Sequence, residues 1–356
     1  MDQYIQLLSD KKVAMLVNQT SRVGDSHIVD SLLKHKVNIV KIFSPEHGFR
    51  GEADNGEEID DSVDDRTGLP LVSLYGSKKK ASAEDLAGID IIVFDIQDVG
   101  VRFYTYISTL QYLLEAASEN DIPVIVLDRP NPNIHYVDGP VLEEGFKSFV
   151  GMNSIPVVYG MTIGEYGIMI NEEGWLSDDL KADLTVIPCT NYTRTMQYDL
   201  PVKPSPNLPN LNSILHYPSL CFFEPTTVSI GRGTTNPFEF IGHPELEGDH
   251  SFTPESRAGA KNPKHLGKEC FGIDLRSLKA RRDGLDLSWV LNYYSFCASR
   301  DLDFITNERF FNLLAGTDKL LADIRASKSE EEIRQSWQPD LDNFNRIRTK
   351  YLIYPD

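Results

Sequence analysis

Residues 89–119 read IDIIVFDIQDVGVRFYTYISTLQYLLEAASE, and the change of texture within this stretch points to the fold. Positions 89–96 are mostly apolar and rich in isoleucine and valine, without the alternation of a half-buried strand, so they read as a strand covered on both faces. A polar turn follows at Gln97 and Asp98. Over 104–119 the apolar spacing becomes that of an amphipathic helix. Strand, polar turn and helix in that order make half of a βαβ unit.

The theme recurs on both sides, with apolar runs at 12–17, 37–43, 69–74, 122–127 and 184–188 and helical patterns at 27–36 and 162–173. Such alternation predicts a three-layer, doubly wound α/β domain. Polar clusters stand where these runs end: Asn18-Gln19-Thr20-Ser21, Ser44-Pro45-Glu46-His47, Asp95 to Asp98, and Asp128-Arg129-Pro130-Asn131. In open parallel sheets the carboxyl ends of strands form the ligand crevice, so the four clusters are expected to converge on one edge.

At Pro201 the texture changes, because Pro201, Pro204, Pro206 and Pro209 follow one another too closely for any regular element. The boundary is placed there, giving a domain over 1–203 and a second over 204–356. Gly- and Pro-rich sequence at 224–272 and helical patterns at 288–299 and 308–324 make the second domain α+β with a small sheet.

A length of 356 residues with 41% hydrophobic content has material for two cores. The formal charge of -18 opposes binding to nucleic acid or anionic lipid, since either polyanion would be repelled from the surface, and neither is expected as a partner. No stretch has the roughly 18 apolar residues that a membrane span needs. Cys189, Cys221, Cys270 and Cys297 lie far apart, without metal or redox spacing, and read as isolated thiols. The acidic run Glu57, Glu58, Asp60, Asp61, Asp64 and Asp65 lacks the ligand spacing of a calcium loop. No metal and no cofactor are expected. The loop Ser229 to Thr235 has Asn236 where a dinucleotide fingerprint needs its third glycine, and no Walker loop, HExxH helix or GxSxG elbow is present.

Three groups of residues carry candidate chemistry. The segment FSPEHGFRGE (43–52) sets Glu46, His47 and Arg50 between turn formers at a strand end, either as a surface ion pair with a loop histidine or as a catalytic cluster. Asp98, Arg102, Tyr104 and Tyr106 combine a carboxylate, a guanidinium and two phenols, a set that binds sugars through ring stacking and directional hydrogen bonds, and that equally suits a helix start with core tyrosines. Glu165 stands three residues after Thr162 and fits a capping box as well as it fits catalysis.

Taken together, VNQTS (17–21), FSPEHGFRGE (43–52), TGLPLVSLYG (67–76), DIQDVGVRFYTYIST (95–109), VLDRPNPN (126–133), YGMTIGE (159–165), PSPNLPN (204–210), VSIGRGTTNPFEFIG (228–242) and KYLIY (350–354) resemble the exo-β-N-acetylmuramidases, a family long catalogued as a domain of unknown function. The resemblance implies a Rossmann-like amino-terminal domain carrying the catalytic glutamate, a smaller α+β domain as the other wall of a cleft, and release of N-acetylmuramic acid from non-reducing ends of peptidoglycan fragments. It also implies an extracytoplasmic place of work, periplasmic or secreted, with a cytoplasmic one left open. The family's principal glutamate falls on Glu46 and the TxGE glutamate on Glu165. Substrate contacts are expected from Asn18, His47, Arg50, Asp98, Arg102, Tyr104, Asn131 and Arg232.

Glycoside cleavage needs an acid for the leaving oxygen and a group that stabilises or captures the oxocarbenium-like centre. Glu46 is the expected acid; Glu165 is base or nucleophile, or orients an attacking acetamido group of the substrate, a part Asp98 is equally suited to. A cation is expected at the lactyl carboxylate that distinguishes muramic acid, with Arg102 first, then Arg232 and Arg50. Two other classes stay open: a non-catalytic muropeptide-binding protein, and a metal-dependent hydrolase using Glu46, His47 and Asp98.

Overall fold

Strand β1 (Val13–Val17) is buried along its whole length, and its residues divide by parity between two cores. Ala14 and Leu16 join the larger cluster, whereas Val13, Met15 and Val17 face the smaller one with Ile28, Val29 and Leu32 of helix α1 (Ile28–Lys34). The side-chain period of two thus covers both faces of the sheet, as the uninterrupted apolar runs predict. The computed structural model describes residues 1–46, 48–49 and 62–356.

The other described strands are a small hairpin, β2 (Arg22–Val23) with β3 (Ser26–His27), then β4 (Ile39–Ser44), β5 (Ser62–Val63), β6 (Pro70–Ser73), β7 (Ile91–Asp95), β8 (Val124–Leu127) and β9 (Leu184–Ile187). Seven strands form one sheet in the order β5-β6-β4-β1-β7-β8-β9, parallel except for the β5–β6 pair. From β1 the chain builds outward through β4 and β6, then returns to the other side of β1 with β7. That reversal is the topological switch of doubly wound sheets, and it opens a crevice beyond the ends of β1, β4 and β7. Crossovers run through α1, the short α2 (Ala83–Leu86), α3 (Tyr106–Glu119) and α4 (Ile163–Glu172).

Past the proline cluster, α5 (Leu211–Leu220) leads into an antiparallel sheet of β10 (Phe240–His243), β12 (Cys270–Asp274) and β11 (His250–Phe252), in that order, and then α6 (Ser288–Ser299), α7 (Glu308–Ala315), α8 (Lys319–Arg325) and α9 (Glu330–Arg348). The larger hydrophobic cluster continues from Ala14 through Phe94, Tyr166, Phe222 and Phe311 to Phe344, so the carboxyl-terminal helices and the amino-terminal layer share one apolar core.

Candidate active site

Neighbouring strand ends meet at Glu46. The residue lies two positions past β4 and is 8% exposed. Tyr75, just beyond β6, donates its hydroxyl to Oε1 at 2.9 Å, and Thr105, which precedes α3, donates to Oε2 at 2.7 Å. Beneath the carboxylate, Asn18 from the end of β1 donates through Nδ2 to the Tyr106 hydroxyl at 3.0 Å, and that hydroxyl donates to the Glu46 backbone carbonyl at 3.4 Å. Glu46 is therefore held by groups following β1, β6 and β7.

Above it opens a cavity of about 290 Å³ whose walls come from both halves of the chain. Tyr104 stands edge-to-face against Tyr106 and Tyr217, with ring centroids 4.9 and 6.0 Å apart, and donates its hydroxyl to the Pro204 carbonyl at 2.8 Å. Burial, then the neighbouring phenols of Tyr106 and Tyr217, push the Tyr104 hydroxyl well above its ordinary pKa, so it acts here as a neutral hydrogen-bonding group.

The opposite wall carries Arg232 and Glu224. Both Nε and Nη2 of Arg232 donate to Glu224 Oε1 at 2.6 Å, and the guanidinium lies over the Phe238 ring, 5.2 Å from its centroid. Burial opposes the Arg232 charge, but the Glu224 carboxylate outweighs it and holds the pKa above the ordinary value. Gly231, with φ of 78°, forms the bend before Arg232; a Cβ there would lie 2.8 Å from the Asn236 carbonyl oxygen. Behind the pair, Lys264 donates to the carbonyls of Phe223 and Val228 at 2.6 and 3.2 Å. Burial lowers the Lys264 pKa to about 8, with Glu224 and Arg232 acting in opposite senses on it. One carboxylate and two cations leave this wall locally positive in a strongly acidic chain.

Of the residues singled out in sequence, Glu46, Tyr104, Tyr106 and Arg232 line this cavity and Asn18 supports it from below. His47 and Arg50 lie outside the described residues, as do positions 57–61 of the acidic run. Asp98 sits behind the tyrosine wall, where its Oδ2 accepts from the Gly100 amide at 2.6 Å and from the Tyr159 hydroxyl. Asn131 is a loop latch, donating to the Met161 carbonyl at 2.7 Å and accepting from the Asn133 amide at 2.8 Å.

Asn18, Asp98 and Asn131, expected as substrate contacts, are buried and do not line the cavity, and two further expectations need correction. Arg102 is 0% exposed, and its terminal nitrogens donate to the carbonyls of Pro140, Ile155, Leu314 and Ala315, the last two at the end of α7. It caps a helix carboxyl terminus, where a cation meets the negative end of the dipole, and has no terminal nitrogen left for a substrate carboxylate. Glu165 is also 0% exposed and does not line the cavity. It closes the capping box with Thr162, takes Arg194 Nη1 at 2.8 and 3.0 Å, and accepts the Ile353 amide at 2.9 Å. Of its two sequence readings, the cap is the one present.

Tyr75, Thr105 and Glu224 are cavity residues that sequence reasoning passed over. Tyr75 was within reach, since it follows a strand end inside TGLPLVSLYG (67–76), and Thr105 lies in the next quoted motif. Glu224 follows a single 3₁₀ turn after α5, and no spacing rule marks such a position.

A family model described as exo-beta-N-acetylmuramidase NamZ, N-terminal, matches residues 13–212, and its C-terminal counterpart matches residues 215–354. The chain is 39% identical to the peptidoglycan beta-N-acetylmuramidase NamZ of Bacillus subtilis (strain 168) over 375 aligned residues, spanning 99% of this chain and 89% of that one. A crystal structure of a DUF1343 family protein from Bacteroides fragilis NCTC 9343 matches with a TM-score of 0.91 at 44% identity, covering 100% of this chain and 97% of that chain. A second from the same organism matches with a TM-score of 0.86 at 29% identity, covering 99% and 96%. With the two family models together matching nearly the whole sequence, this chain belongs to the exo-β-N-acetylmuramidase NamZ family.

Proposed function

We propose that this chain is an exo-acting glycoside hydrolase that releases N-acetylmuramic acid from the non-reducing ends of peptidoglycan fragments, with Glu46 as its general acid. The position of Glu46 carries the reading: a buried carboxyl at a strand end, aimed by two hydroxyl donors, in a cavity lined by tyrosines. As the bond from C1 to the leaving oxygen breaks, that oxygen keeps the electron pair and takes the Glu46 proton; water then completes C1. Glu224 is the second carboxylate of the cavity, and Arg232 occupies only its Oε1. Its other oxygen is suited to receive the proton of the attacking water. Arg232, backed by Lys264, is the cation placed for the lactyl carboxylate.

The test uses a chromogenic β-N-acetylmuramide beside the matching glucosaminide. Wild-type protein is expected to cleave the muramide, and Glu46→Gln to lower kcat by about 10²-fold or more while calorimetry still detects muramic acid binding. Binding without turnover in the wild type would instead support a muropeptide-binding protein, and activity lost to a chelator would support the metal-dependent class. Following the product anomer by NMR separates a water displacement from a double displacement.

A further inference from the structure

Beside the Glu46 cavity lies a second one of about 610 Å³, walled by Tyr112 of α3, Lys147, Ser148 and Trp175. A tight turn separates the two. Ser148 and Gly151 exchange backbone hydrogen bonds at 2.8 and 3.0 Å; the tip residues Phe149 and Val150 face the Glu46 cavity, while Ser148 faces the second. Aromatic rings continue across this turn. Tyr75, the Glu46 partner, is 6.3 Å from Phe149, and Phe149 is 6.2 Å from Tyr112 with the two planes only 11° apart. Lys79 lies over Phe149, 4.9 Å from its centroid. Its neighbours Lys78 and Lys80 are paired with Asp85, Glu115 and Glu119, whereas Lys79 makes no ion pair among the described residues. The Ser148 hydroxyl is buried and has no hydrogen-bond partner among the described residues, a state that buried polar groups rarely keep unless a ligand or water completes them.

We propose that the second cavity is a saccharide subsite that holds the glycan chain on the leaving-group side of the scissile bond, which it reaches over the Tyr75–Phe149–Tyr112 aromatic run. This rests on the reading of the chain as an exo-acting muramidase. An enzyme that seats a terminal sugar against Glu46 must lead the rest of the chain out past a wall, and this turn is the wall shared with a cavity. Pyranose rings present apolar faces that stack on aromatic side chains. Muramic units carry carboxylates, and the Lys79 ammonium at the crossing, without an ion pair among the described residues, is their complement in a chain of formal charge -18. The Ser148 hydroxyl is there to bond a sugar hydroxyl or acetamido group.

Neither Trp175 nor Ser148 lines the Glu46 cavity, so chain-length preference can be separated from turnover. Wild type, Trp175→Ala and the cavity-filling Ser148→Trp are assayed on the chromogenic muramide and on an alternating MurNAc-GlcNAc tetrasaccharide. The expected result is a KM for the tetrasaccharide raised about five- to tenfold in both variants, the loss of roughly one ring-stacking contact, with muramide kcat/KM kept within about twofold as the check on folding. An unchanged tetrasaccharide KM, or equal losses on both substrates, overturns the subsite while the muramidase reading stands. A wild type inert on the muramide overturns that reading and the subsite with it.

Discussion

Glu46 and Arg102 are both charged residues in segments that follow a strand of the sheet, β4 ending at Ser44 and β7 at Asp95, and the structure gives them opposite fates. Glu46 keeps a face toward a cavity, whereas Arg102 turns inward to four carbonyls. Sequence tells that a polar residue ends a strand; it does not tell whether the next loop leaves it open or closes over it. Arg102→Lys is expected to cost about 2–4 kcal/mol in chemical denaturation, since an ammonium cannot span the four acceptors, and to change muramide and glucosaminide kinetics alike. Arg232→Lys should raise KM for the muramide more than for the glucosaminide; the reverse pattern between the two variants would return the lactyl site to Arg102. Asp98 supplies a pH test. Burial raises its carboxyl from 3.8 to about 6, with the Tyr159 hydroxyl and Gly100 amide pulling the other way. The native state therefore holds this proton up to a higher pH than the unfolded chain, so the stability it contributes is fully present below about 4 and is lost as pH rises through about 6. Asp98→Asn should remove up to about 3 kcal/mol of that pH dependence. Urea denaturation at pH 5 and pH 7 (with ~0.1 M salt to damp surface charge) checks it, and a wild-type-to-variant difference equal at both would discard the assignment.

Elements were legible where hydrophobic period and punctuation agreed, and lost where they conflicted. The apolar runs that predict β1, β4, β6, β7, β8 and β9 each form a strand of the sheet, buried throughout in β1, β7 and β8 and only in part towards the edges, where β6 and β9 lie. The pattern at 308–324 reads as one helix, yet Gly316 adopts φ of 77° and splits it into α7 and α8. A Cβ at Gly316 would lie 2.6 Å from Arg102 Nη2, so the glycine that breaks the helix also admits its cap. Besides the one-turn α2, two longer helices escaped notice because each contains a proline. In α5, Pro218 leaves the Ile214 carbonyl without its helical donor, and Asn133 Nδ2 fills that place at 3.3 Å. Along α9 the acidic first turn, the Ser329–Glu332 capping box and Arg346 and Arg348 in the last turn offset Pro339. Helix α4 carries the element-scale prediction. Its Glu165 joins the helix start to Arg194 and to the chain end at Ile353, so Glu165→Gln leaves a buried guanidinium without its counter-charge. The expected loss is about 3 kcal/mol of stability with kcat/KM retained well below the melting temperature. A collapse of kcat at unchanged Tm would restore the catalytic reading of Glu165.

At the scale of the molecule, the proline cluster after Pro201 reads in sequence as a border between two domains, and the two family models adjoin just after it, at 212 and 215; the contacts that cross it are nonetheless of the interior kind. Arg102 reaches the end of α7, Glu165 holds Ile353, Arg348 donates to the Gly160 carbonyl at 2.8 Å, and Asp138 accepts the Leu285 amide at 2.7 Å beside Arg334. With one hydrophobic cluster running from Ala14 to Phe344, neither half can expose its side of the seam without uncovering core. Independent domains meet through modest, rather polar surfaces and move as units; a continuous core with buried charged links does not. The consequence for function is a cavity whose two walls, Glu46 with its tyrosines and Glu224 with Arg232, are held in fixed relation before substrate arrives, which favours selection of one sugar over adaptation to many. Unfolding should then be a single cooperative event, with calorimetric and van't Hoff enthalpies in agreement and hydrogen exchange in β1 and α9 reporting the same global opening. Two resolved transitions, or a 1–203 fragment with native near-ultraviolet dichroism, would show that the halves fold apart and that the cleft is a hinge.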